Sequence, residues 1–86
     1  MTKLEAEVLE KAISTILENV KFYNVCIKED TDYKVVLYSQ YFSRTTIKEV
    51  TDVNDTYDII KAALDIRINN IYDNIISKIK GIFNKE

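Results

Sequence analysis

The sequence has no histidine, no proline and no tryptophan, and its 86 residues include one cysteine, one glycine and one methionine. A lone cysteine excludes an intramolecular disulfide, and the lack of histidine excludes a cysteine–histidine zinc cluster. No Pro- or Gly-rich linker, low-complexity segment or internal repeat divides the chain. We therefore expect one domain over residues 1–86, in the reducing cytoplasm.

The patterns that mark common catalytic sites are missing as well. The sequence contains no nucleophile elbow, Walker motif or dinucleotide-binding glycine pattern. Cys26 falls in a predicted strand without the signature of a basic helper, so we interpret it as a small hydrophobic side chain. The acidic turn Glu29–Asp32 could hold a hard cation, but a calcium loop normally gathers about six to eight oxygens around one ion and often has a turn glycine, so we do not expect a metal there. These absences predict a non-enzymatic protein with no metal and no cofactor.

Long hydrophobic runs are also absent. The longest spans about four residues, whereas a helix that crosses a bilayer needs about 20. The start of the chain, MTKLEAEVLEK, carries charges of both signs and differs from a secretory signal. We expect a soluble protein with no membrane partner.

Isoleucine, lysine, asparagine and tyrosine are abundant, with 13, 10, 7 and 6 copies. This bias is typical of AT-rich coding sequences, such as those of low-GC bacteria and their phages. The net charge of −2 is distributed as −2 over residues 1–20, +1 over 21–50, −3 over 51–65 and +2 over 66–86. A mildly acidic total disfavours strong nonspecific binding to nucleic acid, although a small basic face remains compatible with it.

The hydrophobic pattern predicts the element order αβββα. Apolar residues recur at helical spacing over residues 3–20, where Thr2 and Glu5 have the spacing of a capping box. From residue 21 the period changes to two, which predicts a strand to residue 28, a turn at 29–32, and a second strand from 33 to about 42. If Glu29 faces Tyr33 across the turn, Ile27 opposes Val35 and Val25 opposes Leu37. A shorter third strand is predicted at 44–50. We expect an α+β fold in which two helices pack side by side on one face of a three-stranded antiparallel sheet.

The last predicted helix carries the strongest pattern in the sequence. Eight apolar residues lie at steps of 3, 4, 4, 3, 4, 4 and 3, and we call them the isoleucine stripe: Tyr57, Ile60, Leu64, Ile68, Ile71, Ile75, Ile79 and Ile82. This eleven-residue repeat keeps a nearly straight line on a helix. Thirty helical residues would span about 45 Å, whereas a compact domain of this size is only about 30 Å across. Either the helix bends near Asn69–Asn70 or Asp73–Asn74, where helix propensity is poor, or its second half projects. We favour projection, because the stripe continues through the asparagines in phase, and we expect a homo-oligomer, a dimer, through Ile71, Ile75, Ile79 and Ile82.

The segment DYKVVLYSQYFSRTT, residues 32–46, predicts a second interaction surface. If Tyr33, Val35, Leu37 and Tyr41 lie under the helices, the alternate residues lie on the opposite face of the sheet, which we call the open face. The candidate partner-binding residues there are Lys28, Lys34, Val36, Tyr38, Phe42, Arg44 and Lys48. A solvated face, a protein-binding face and a nucleic-acid face all fit this pattern.

The predicted order αβββα is similar to that of double-stranded-RNA-binding domains. Those domains hold phosphates with lysines at the start of the last helix, but the stretch here, VNDTYDIIKAALD, is acidic. The resemblance therefore concerns topology and does not extend to function. The sequence favours a protein-binding regulator, inhibitor or adaptor that uses the open face. A nucleic-acid-binding protein and a structural, self-assembling protein are the alternatives.

A first prediction concerns metals. Because the chain lacks the usual clusters of metal ligands, a chelator should leave the melting temperature unchanged. Differential scanning fluorimetry with and without EDTA measures this directly. A fall of more than a few degrees would show that a bound metal supports the fold.

Overall fold

The computed structural model describes residues 1–41 and 43–83. Helix α1 (Lys3–Ile16) is followed by strands β1 (Tyr23–Glu29), β2 (Tyr33–Ser39) and β3 (Thr45–Val50), a 3₁₀ turn at Val53–Asp55, and helix α2 (Thr56–Phe83). The strands form one antiparallel sheet in the order β1-β2-β3. The α+β class and the order αβββα are thus as predicted.

Helix α1 begins at the predicted capping box and ends earlier than predicted. The Thr2 hydroxyl accepts a hydrogen bond from the Glu5 amide, and the Glu5 carboxylate accepts one from the Thr2 amide. The helix stops at Ile16, so the predicted end at residue 20 is wrong. Asn19 and Phe22 have positive φ angles of 67° and 72°, and such left-handed residues turn the chain from α1 into β1.

The predicted register between the first two strands is confirmed. Glu29 pairs with Tyr33, Ile27 with Val35 and Val25 with Leu37, while Lys28 stands opposite Lys34. The strands are shorter than predicted, because β1 starts at Tyr23, β2 ends at Ser39 and β3 starts at Thr45. Tyr41, expected beneath the helices, lies beyond β2 and is 58% exposed.

The core lies between one face of the sheet and the two helices. It consists of the following buried residues: Ala6, Leu9, Ile13 and Leu17 from α1 and its C-cap, Val35, Leu37 and Val50 from the sheet, and Ile59 and Ala63 from α2. The residues contributed by β2 alternate, as expected for a strand with one face in the core. Because this core is small, each of its residues contributes a large share of the stability.

Helix α2 extends past the sheet and past α1. Its buried residues, Ile59 and Ala63, lie in its first third. The last direct bond to α1 is from the Arg67 guanidinium to the Ile16 carbonyl oxygen, at 2.9 Å. The helix continues without interruption to Phe83, and the molecule is 59 Å long with a radius of gyration of 15.7 Å, against about 12 Å for a compact chain of this size. The expected projection of the second half is confirmed.

A second prediction uses the alternation of β2. Leu37 is fully buried in the core, whereas Tyr38 is half-buried on the opposite face. Leu37→Ala should therefore lower the free energy of unfolding by about 2 to 5 kcal/mol, and Tyr38→Ala should lower it by clearly less. Urea denaturation of both variants measures the two losses. If Tyr38→Ala were the more damaging change, the two faces of the sheet would have to be exchanged.

A third prediction concerns acid. The Tyr33 amide and then the Met1 ammonium group donate hydrogen bonds to Asp32 and lower the pKa of its carboxyl group. The Thr2 amide does the same for the pKa of Glu5. A carboxyl pKa that is lower in the folded state stabilises the fold above the unfolded-state pKa, and this contribution disappears as the pH falls through the folded-state value.

Stability should therefore decline from about pH 5 downward, and Asp32→Asn should flatten this decline. Melting temperatures measured from neutral to strongly acidic pH give the two slopes. Asp30→Asn is the control, because it removes a carboxylate from the same turn while leaving the bonds to Asp32 intact. Equal slopes for Asp32→Asn and the wild type would contradict the assignment.

Candidate protein-binding surfaces

The open face is formed by the alternate residues of the three strands. Strand β2 contributes Lys34, Val36 and Tyr38 to this face, since Val35 and Leu37 lie in the core. The register places Cys26 and Lys28 of β1 beside them, and Glu49 and Thr46 of β3 on the other side.

A cluster of three side chains occupies the centre of the open face. The Arg44 guanidinium carbon lies 4.1 Å from the centroid of the Tyr38 ring. One Arg44 nitrogen, Nη2, lies 3.1 Å from the Cys26 sulfur. A cation at this distance from an aromatic face is attracted by the ring quadrupole. Arg44 therefore bridges β2 and β1 across the face, although its position just before β3 leaves it exposed.

The open face is less basic than the sequence predicts. A bulge between Leu37 and Tyr38 shifts the pairing with β3, so that Val36 pairs with Glu49 and Leu37 pairs with Lys48. Paired residues project to the same face, and Lys48 therefore lies on the helix-covered side, contrary to the expectation. Glu49 takes a place on the open face, where the sequence predicts no acidic residue, and its carboxylate lies 3.6 Å from the Lys34 ammonium group.

Val36 shows that the open face has its own packed layer. Its side chain is 1% exposed, although it lies on the side away from the helices. Its cross-strand neighbours are Cys26 and Glu49, and Lys34 and Tyr38 flank it along β2. The long side chains of this face thus shield Val36 from water, as lysine and arginine stems commonly do.

Two side-chain contacts lie near the start of β1 and the end of β2. The Asn24 amide donates a hydrogen bond to Gln40 at 3.2 Å. The Phe22 and Tyr41 rings, with their centroids 4.8 Å apart, line a cleft together with residues of α2 and so lie toward the helices. The predicted binding residue Phe42 lies outside the described residues. Of the other predicted residues, Lys28, Lys34, Val36, Tyr38 and Arg44 are brought together, and Lys48 is separated from them.

The isoleucine stripe forms the second candidate surface. At 3.6 residues per turn, the stripe is centred about 140° from the core-facing residues Ile59, Ala63 and Ile66. Seven of its eight members are 42 to 72% exposed, and Ile60 is half-buried. Apart from Ile60, which packs against the edge of the core, the stripe therefore faces away from the core. Sequence periodicity finds the stripe but misses that Ile59 and Ala63 form the core contact.

An apolar groove continues this surface onto α1. It has a volume of about 350 Å³ and runs between the first half of α1 and the start of α2. Its apolar walls include Leu4 and Val8, which are 69% and 62% exposed, together with Val53 and Ile60. The groove thus joins the exposed edge of α1 to the isoleucine stripe.

A polar cleft lies beside the point where α2 leaves the body. It has a volume of about 400 Å³, and its walls include four asparagines and an aspartate: Asn19, Asn69, Asn70, Asn74 and Asp73. Among the described residues, no group of three or more histidine, cysteine or acidic side chains is arranged to hold a metal ion. In residues 1–41 and 43–83, no helix has the length and hydropathy to cross a bilayer.

Comparison with known proteins found no match to a family model, to a curated protein or to a solved structure. The two surfaces are therefore interpreted from the geometry of this chain.

Proposed function

We propose that this protein is a non-catalytic protein-binding module, a regulator, inhibitor or adaptor, whose partner docks on the open face. The observation that carries this proposal is the cluster of Tyr38, Arg44 and Cys26 at the centre of a sheet face away from both helices. Tyrosine and arginine are the residue types that most often dominate the energy of protein interfaces. Their mutual contact holds both side chains in place before binding, which lowers the entropy cost of docking.

The positive charge of the lysines beside this cluster favours an acidic segment of the partner. Lys28 and Lys34 stand opposite each other, and like charges in this position are destabilising. Glu49 offsets Lys34, so Lys28 is the cation best placed to receive a carboxylate from outside. A carboxylate next to Lys28, with an apolar or aromatic group on the Tyr38 and Arg44 surface, would complement the open face.

Nucleic acid fits this face less well. The ion pair between Lys34 and Glu49 and the displacement of Lys48 leave Lys28 and Arg44 as the cations available to phosphates. Each phosphate contact adds about 0.9 to the logarithmic salt slope. Two contacts would give only a shallow slope and weak binding.

A fourth prediction tests this face by site-specific cross-linking. A photoreactive amino acid at Thr46, which is exposed and pairs with Tyr38, should capture a protein from nuclease-treated source-cell lysate. The same group at Lys11, exposed on α1, is the control and should not capture it. Tyr38→Ala and Arg44→Ala should each weaken binding of the purified partner by about 1 to 3 kcal/mol, as measured by calorimetry.

Lys11→Ala should leave the affinity unchanged, since Lys11 lies outside the open face. Capture that disappears after nuclease treatment would show that nucleic acid is the partner. Equal capture from positions 46 and 11 would show that the open face is not the binding surface.

A further inference from the structure

Helix α2 presents an apolar surface that its own domain does not cover. A stripe the length of this helix, about 42 Å by about 10 Å, is as large as the largest apolar patch on a typical monomer, a few hundred Å². The groove beside Leu4 and Val8 enlarges it further. An apolar surface of this size is expected to be covered by another molecule. The sequence of α2 indicates which molecule this is.

The spacing of the isoleucine stripe reads the same in both directions. Its steps of 3, 4, 4, 3, 4, 4 and 3 form a palindrome centred between Asn69 and Asn70. Two copies of α2 placed antiparallel, with these centres together, would therefore match every stripe residue with another stripe residue. The pairs include Tyr57 with Ile82, Leu64 with Ile75, and Ile68 with Ile71. An unrelated partner helix would not require this symmetry.

We propose that a second copy of this chain covers the stripe, and that the two α2 helices pack antiparallel about a two-fold axis near Asn69 and Asn70. A two-fold interface is self-complementary, since each residue pair occurs twice. The arrangement uses a different surface from the open face and does not depend on it.

The charge distribution favours the antiparallel direction. Residues 51–65 carry a net charge of −3, and residues 66–86 carry +2. Antiparallel packing brings the acidic first part of one α2 beside the basic second part of the other. Parallel packing would instead place the acidic parts together, which is unfavourable.

The groove supports the same direction. It lies beside the first half of α2, next to Ile60. In the antiparallel arrangement, the projecting half of the second copy lies along this first half and supplies Ile75, Ile79 and Ile82 to the groove. In a parallel pair the two first halves, each with its own groove, would lie together, and no projecting half would reach either groove.

The fifth prediction concerns the mass in solution. Sedimentation equilibrium at micromolar concentrations should give twice the chain mass of 10.0 kDa. The double variant Ile75→Glu and Ile79→Glu should weaken dimerisation by about 100-fold or more, because it buries charge in the interface. The matched control is Ser77→Glu with Lys80→Gln, which changes the net charge equally on the opposite side of the same helix. The control should remain a dimer.

Cysteine cross-linking in a Cys26→Ala background tests whether the two α2 helices pack antiparallel. Tyr57 and Ile82 are 72% and 68% exposed, so Tyr57→Cys and Ile82→Cys should fold normally. Under mild oxidation a mixture of the two variants should form the mixed disulfide, and neither variant should cross-link efficiently to itself. The two positions are about 37 Å apart along one helix, and a disulfide needs Cα atoms within about 7 Å.

Several results would overturn the proposal. The proposal is wrong if the wild type is a monomer at high micromolar concentration. It is also wrong if the dimer tolerates the double variant Ile75→Glu and Ile79→Glu. Self-cross-linking of Tyr57→Cys would show a parallel pair. A monomer that sediments with vesicles of phosphatidylglycerol and phosphatidylcholine would assign the stripe to a lipid surface. Tyr38→Ala should leave the dimer intact, so failure of the open face and failure of the dimer are distinguishable.

Discussion

The size of the core is the constraint on which the rest of this structure depends. One face of a three-stranded sheet can cover only a short length of helix, and here it covers α1 and the first third of α2. Helix α2 extends far beyond this support, so its second half has no intramolecular surface on which to pack. The isoleucines of the stripe are exposed for two reasons: the stripe faces away from the core, and beyond the first third of α2 no other element lies beside the helix.

The open face of the sheet has to bury its central residue without a helix to cover it. Neither helix packs on it, yet Val36 at its centre is buried. The residues beside Val36 include Tyr38, which Arg44 contacts, and Lys34 and Glu49, which form an ion pair. A surface that is already ordered in the free protein loses little entropy on binding. This order supports the proposed docking of a protein partner.

Much of the fold was predictable because several local signals agree. The capping box at Thr2, the change of period after Lys21 and the acidic turn at 29–32 each specify one boundary, and together they give the element order and the register of β1 with β2. The ends of α1 and of the strands were less predictable. Asn19 and Phe22 adopt left-handed conformations that neither residue type demands.

Three features depend only on residue type and spacing and can be obtained from the amino-acid sequence without a structure: the alternation of β2, the palindromic stripe, and the absence of common catalytic and metal-binding patterns. The tertiary structure alone decided which faces are covered. A bulge between Leu37 and Tyr38 moved Lys48 off the open face and placed Glu49 on it, and a bulge leaves no reliable mark in the hydrophobic pattern. Likewise, two apolar faces on α2 look alike in the sequence. Only packing against the small residue Ala63 shows that the Ile59 face, and not the isoleucine stripe, turns toward the core.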